Sequence, residues 1–106
     1  EYFIDNATTR QIAAVVLEPI QGWGGSVIPP DDFVPRLKAF CERHKMLLIA
    51  DEVLTSMGRT GKYLCMEHWN VTPDSVTIGK GFGNGIEPAN LACLMNINTL
   101  PTGENT

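Results

Sequence analysis

Short apolar runs recurring about every 30 residues, with a helix-period stripe between the first two, constrain this 106-residue chain more than any other feature. Residues Gln11–Leu17 (QIAAVVL) are continuous, apolar and β-branched, and the glycine-rich Gln21–Gly25 (QGWGG) that follows ends regular structure. That pattern predicts a buried parallel strand with a loop at its carboxyl end. Pro29-Pro30-Asp31-Asp32 then punctuates the chain, with Asp32 as helix N-cap and Pro35 in the first turn, where a missing N–H costs nothing. The helix is expected to run to about Lys45. Its apolar residues Phe33, Val34, Leu37, Phe40 and Cys41 fall on one face, and Arg43, His44 and Lys45 suit the negative end of the helix dipole.

Met46–Ala50 (MLLIA) reads as the next buried strand, ending at Asp51-Glu52. A shorter helical segment is expected near Lys62–Trp69, a third strand at Ser75–Ile78 and a fourth at Leu91–Met95, beyond the alternating glycines Gly79, Gly81, Gly83 and Gly85. Strand, helix, strand in this rhythm predicts right-handed crossovers. The expected fold class is α/β, a mostly parallel sheet covered on both faces by crossover helices. One domain at most fits the length, and the natural neighbours of these strands are expected outside the chain.

In such a sheet, ligands bind outside the carboxyl ends of the strands. Here those ends carry Glu18, Asp51 and Lys80, two carboxylates and an amine brought to one edge by separate crossovers. Lys80, between Gly79 and Gly81, has no bulky neighbour, so a planar ligand has room to approach its amine. An aspartate at the adjacent strand end is suited to keeping a ring nitrogen protonated. On spacing alone the plainer reading is favoured, with Asp51 capping a turn and Lys80 solvated in a loop.

Other classes are disfavoured. The net charge of −4, with Lys and Arg scattered, offers no phosphate-tracking stripe, so nucleic acid is not an expected partner. No apolar run approaches the roughly 20 residues that cross a bilayer, so no membrane partner is expected either. Cys41, Cys65 and Cys93 are odd in number and widely spaced, which points to free thiols in a reducing, cytoplasmic setting. The triplets beginning at Asn6 and Asn70 match the glycosylation pattern but carry little weight. His44 and His68 are isolated, so no metal site is expected, and the glycine run has neither the GxGxxG nor the P-loop spacing.

Five segments in order change the balance: Glu18-Pro19-Ile20-Gln21-Gly22, Ala50-Asp51-Glu52-Val53, Gly58-Arg59-Thr60-Gly61, Pro73-Asp74 and Gly79-Lys80-Gly81. Together they resemble the motifs of the class III (omega-type) aminotransferases, over about Ile12 to Pro88. The resemblance implies the large domain of fold type I, the aspartate aminotransferase-like fold, with residues 1–106 a fragment of it and no second domain within the chain. It implies pyridoxal 5′-phosphate as cofactor and Lys80 as the Schiff-base lysine that also shuttles the substrate's proton. Asp51 is then the partner of the pyridine nitrogen, and Val53, facing the same way along an extended segment, packs on the ring. Glu18 and Gln21 are expected beside the mouth of the site, and Arg59 is expected to anchor its turn, with direct ligand contact the alternative.

Two positions depart from the common pattern. Leu54 stands where many members carry a glutamine, and Trp23 where ornithine- and aminobutyrate-type members carry a glutamate. Trp23 is then either an aromatic wall for an apolar or extended amine or a loop aromatic over the core. The implied reaction is transamination between an amine or amino acid donor and a 2-keto acid acceptor, in a homodimer. The alternatives are another class III reaction (decarboxylation, racemisation or amino migration) and a non-catalytic remnant of the fold. The isolated chain is expected to be inactive.

Overall fold

The computed structural model describes residues 11–83 and 93–96. Its sheet has four strands in the order β1 (Ala14–Leu17), β2 (Leu47–Glu52), β3 (Ser75–Ile78) and β4 (Cys93–Asn96). β1, β2 and β3 are parallel, and β4 runs antiparallel to β3. The mostly parallel α/β arrangement expected from the apolar runs is therefore present. β1 is shorter than the apolar run that suggested it, and β2 is displaced toward its carboxyl end, so Asp51 and Glu52 lie inside the strand. The fourth strand was expected over Leu91–Met95; Leu91 and Ala92 lie outside the described residues, as does the glycine run beyond Gly83.

Helix α1 (Phe33–Arg43) makes the first crossover. Asp32 holds the N-cap position but has helical dihedrals, and its carboxylate pairs with Arg36 at 3.1 Å instead of capping an amide. The Phe33 N–H is taken by the Pro30 carbonyl at 2.9 Å. The helix stops two residues before Lys45 because Lys45 adopts a left-handed φ of 56°. The Lys45 N–H then reaches the Glu42 carbonyl and the Met46 N–H reaches that of Cys41, at 3.2 and 2.9 Å, which closes a Schellman motif over buried Cys41 and Met46.

The second crossover holds no α-helix. Gly58 and Gly61, with φ of 83° and 90°, keep the chain turning, and the expected helix near Lys62–Trp69 is a 3-10 helix, Cys65–Trp69, ended by left-handed Asn70. What fixes it to the sheet is Glu52. This fully buried carboxylate accepts hydrogen bonds from the Cys65 and Met66 amides at 2.6 and 2.9 Å and from the Thr55 hydroxyl at 3.2 Å.

Val34 and Cys41 of α1 pack with Leu48, Ala50, Met66, Val76 and Ile78 into one core on one side of the sheet. The opposite side is not covered among the described residues: Val16 and Leu47 are 63% and 52% exposed. That differs from the two-sided burial expected, and an uninterrupted apolar run is the sequence signature of strands whose two faces are both meant to be buried.

Asp74, at the entry to β3, clasps three elements. Its Oδ2 accepts the Leu48 N–H at 2.8 Å and the Lys38 ammonium at 3.0 Å, while its own N–H donates to the Leu48 carbonyl at 2.8 Å. Burial works to raise the Asp74 pKa, but the Leu48 and Lys38 donors outweigh it and hold the carboxyl below its ordinary value. A depressed carboxyl stabilises the fold fully above its unfolded value of about 3.9 and loses that contribution as pH falls through the folded value. Asp74→Asn is therefore expected to cost about 1–2 kcal/mol near neutral pH and progressively less in acid. Amide exchange at Leu48, compared with wild type across pH, checks this; an equal deficit at every pH would contradict it.

Candidate active site

The parallel register decides which side chains share the carboxyl edge. β2 pairs with β3 so that Asp51 stands beside Thr77, and β1 pairs with β2 through Leu17 and Ala50, one residue short of Glu18. Lys80 begins a short 3-10 turn, Lys80–Gly83, two residues beyond β3. A cleft of about 500 Å³ opens at this edge and is lined by Glu18, Asp51 and Lys80 together with Trp23, Val53 and Leu54, with Gly22 and Ser26 completing its wall.

Asp51 is half-buried and held by two donors on one oxygen. Its Oδ1 accepts the Thr77 hydroxyl at 2.7 Å and the Val53 N–H at 3.2 Å. The plainer reading of Asp51 as a turn cap is thus half realised, since one oxygen does cap the turn after β2. Its Oδ2 accepts no hydrogen bond among the described residues, on a side chain that lines the cleft. Val53 lies in that turn and not on an extended segment; its N–H goes to Asp51 and its carbonyl accepts the Lys80 N–H at 3.0 Å. One peptide-length bridge therefore ties the carboxylate to the lysine backbone.

Gly81 does a different job from leaving room for a ligand. A Cβ there would lie 2.6 Å from both Cβ and Cγ of Met57, so the glycine lets the Lys80 turn pack against the segment after β2. On the other side of the cleft, Glu18 Oε2 accepts the Gly22 N–H at 2.9 Å and shapes the loop after β1. Gly22 sits directly on Leu54, whose Cδ2 would be 2.5 Å from an added Cβ. Trp23 is 96% exposed at the mouth of the cleft, so it does not cover the core. Gln21 is not among the residues lining the cleft. Its backbone bridges to Val27 at 3.1 and 3.3 Å, and its side chain lies against Gly24.

Arg59, expected to anchor the GRTG turn, is exposed; the turn is closed by the Gly61 N–H on the Gly58 carbonyl at 3.0 Å, and His68 Nε2 braces it, 3.0 and 3.1 Å from the carbonyl and hydroxyl oxygens of Thr60. Cys41 and Cys65 are free, and burial pushes both thiols up, so they behave as protonated core groups. No cluster of metal-ligating side chains occurs among the described residues, and no helix there is long and apolar enough to cross a membrane. A larger cleft of about 590 Å³, between Ile20, Ile28, Asp31 and Trp69, is lined by neither Asp51 nor Lys80. Size and chemistry part company here, and the smaller cleft has the chemistry.

Sequence reading alone missed Thr77 and Glu52. Position is what marks them: Thr77 pairs in register with Asp51, and Glu52 falls in phase with buried Leu48 and Ala50.

The family model for aminotransferase class-III matches residues 2–105. The ornithine aminotransferase of Saccharomyces cerevisiae is 40% identical over 95 residues, which cover 88% of this chain and 22% of that protein. The putrescine aminotransferase of Pectobacterium atrosepticum is 47% identical over 81 residues, covering 76% of this chain and 17% of that one. Among solved structures, an amine transaminase from an uncultivated Pseudomonas species in its PLP-bound form superposes with a TM-score of 0.75 at 45% identity, over 82% of this chain and 20% of that one. The chain spans about a fifth of the length of these relatives.

Proposed function

Since the chain belongs to the class-III aminotransferases, a pyridoxal-phosphate-dependent family, we propose that it is part of the large domain of an enzyme that moves an amino group from an amine or amino acid to a 2-keto acid. The observation that carries the reading is the meeting of Lys80 and Asp51 on one cleft at the carboxyl edge of the parallel sheet. The donor set fits the cofactor: an amine for its aldehyde, a carboxylate with one oxygen unbonded among the described residues for its ring nitrogen, and the apolar Val53 and Leu54 for its ring.

Bound there, pyridoxal phosphate would supply an aldehyde that captures amines reversibly and a conjugated ring that draws electrons from the carbon beside the captured nitrogen. The chain's own residues do the rest. Lys80 would hold the cofactor through Nζ between turnovers and, once displaced by the donor amine, use Nζ to take the proton from the donor's α carbon and return it on the other side of the exchange. Asp51 would keep a proton on the ring nitrogen, Val53 would confine the ring, and Glu18 would hold the loop that carries Trp23 over the mouth.

Leu54 and exposed Trp23, both on the cleft wall, support a donor with an apolar or extended body, in keeping with a relative named for putrescine, while Trp23 sets the chain apart from the ornithine-type pattern. Homodimeric assembly and a cytoplasmic setting belong to the same proposal. The test follows the nitrogen: whole protein, a ¹⁵N-labelled amine, and pyruvate or 2-oxoglutarate. Label in alanine or glutamate is the expected result, while donor loss as carbon dioxide with no labelled amino acid would replace transamination by a different reaction. The 106 residues alone are expected to transfer no label.

A further inference from the structure

We propose that Thr77 is a positioning residue for Asp51, its hydroxyl fixing one carboxylate oxygen so that the other is committed to the ligand in the cleft. This rests on the cofactor reading above, in which that ligand is the ring nitrogen of pyridoxal phosphate.

The placement begins in the sheet. Parallel pairing sets Thr77 of β3 beside Asp51 of β2, on the same face. The Thr77 Oγ1 donates to Asp51 Oδ1 at 2.7 Å, and the Val53 N–H donates to the same oxygen at 3.2 Å. The two donors come from different elements, a strand and a turn, so together they fix the carboxylate's rotation as one alone would not. The shorter bond is the hydroxyl's, and a hydrogen bond to an ionised acceptor is the stronger kind. Oδ2 takes no hydrogen bond among the described residues, and the side chain lines the cleft opposite no other acidic partner but Glu18, whose Oε2 is engaged by Gly22.

Threonine suits the task because its β-branched side chain has few χ1 choices, so the hydroxyl is aimed before any ligand arrives. Valine has nearly the same shape and no donor; serine has the donor without the branch. In Thr77→Val the carboxylate keeps only the longer amide bond and gains rotational freedom. The consequence falls on how strongly the ring nitrogen holds its proton, and only secondarily on the fold.

The experiment uses the whole protein, stripped of cofactor and titrated with pyridoxal phosphate labelled with ¹⁵N in the ring, in wild type, Thr77→Val and Thr77→Ser. In wild type the ring ¹⁵N resonance is expected in the protonated range. Thr77→Val is expected to move it toward the unprotonated value and to weaken cofactor binding about tenfold, with Thr77→Ser restoring most of both. A merely structural threonine would lower the melting temperature of the cofactor-free protein and leave the resonance in place. Wild-type binding with an unmoved resonance in Thr77→Val overturns the assignment of Thr77 alone. A wild-type protein that takes up no pyridoxal phosphate overturns the cofactor reading and this inference with it.

Discussion

Lys80→Ala is expected to lower transamination by the whole protein by about 10⁴-fold, the largest loss of any single replacement in the cleft. The size follows from two duties proposed for one atom: Nζ would both hold the cofactor between turnovers and carry the proton during them. The variant should still fold, because Lys80 is exposed and the bond that ties this position to the turn after β2 is made by its backbone N–H, which alanine retains. Borohydride reduction of the loaded protein, followed by peptide mapping, separates the chemistry from general damage. Wild type should carry the pyridoxyl mark on the peptide containing Lys80, and Lys80→Ala should carry none. A mark on Lys38, Lys45 or Lys62 in wild type would sink the assignment, whatever the activity of the variant.

The second large effect is on stability and lies one residue from the other half of the site. Glu52→Ala is expected to destabilise the β2 region by about 3–5 kcal/mol. Glu52 is fully buried, and its loss leaves the Cys65 and Met66 amides without their partner, together with a cavity where the side chain was. Amide exchange at Cys65 and Met66 should quicken by about two to four orders of magnitude. Glu52→Gln retains one acceptor oxygen of similar reach and should recover about half of the loss. Unchanged exchange at both amides in the alanine variant would show that the 3-10 helix is held by something else.

How far the sequence alone discloses this arrangement varies by element. The bounds of Ser75–Ile78 are legible because Pro73 and Gly79 fence it on both sides. The lengths of β1 and β2 are not legible, because continuous apolar runs have no period to mark where pairing starts and stops. The end of α1 depended on the left-handed turn at Lys45, a residue with no intrinsic preference for that conformation. The 3-10 helix after β2 is held by a carboxylate 13 residues earlier in the chain, a tertiary contact that no local window contains. In the cleft, Glu18, Asp51 and Lys80 were legible from their strand ends, and Gln21 was placed there by its motif although the structure turns it onto its own loop. Thr77 escaped notice because its importance is a matter of register, and register is decided between strands.

Register has a further consequence. Leu47, Leu48, Ile49 and Ala50 are apolar in both phases, so a slip of β2 by one residue would exchange one oily face for another at little cost in burial. The discrimination falls on the next two residues. In a slipped strand Asp51 would turn to the core face with a side chain one carbon shorter than the one the Cys65 and Met66 amides fit, and Glu52 would turn away from them, leaving a buried charge poorly partnered. The Asp-Glu pair thus works as a proofreading device for folding: mispaired forms of β2 are rejected by their charges and not by their shape, and a chain that passes that check has already aimed Asp51 into the cleft.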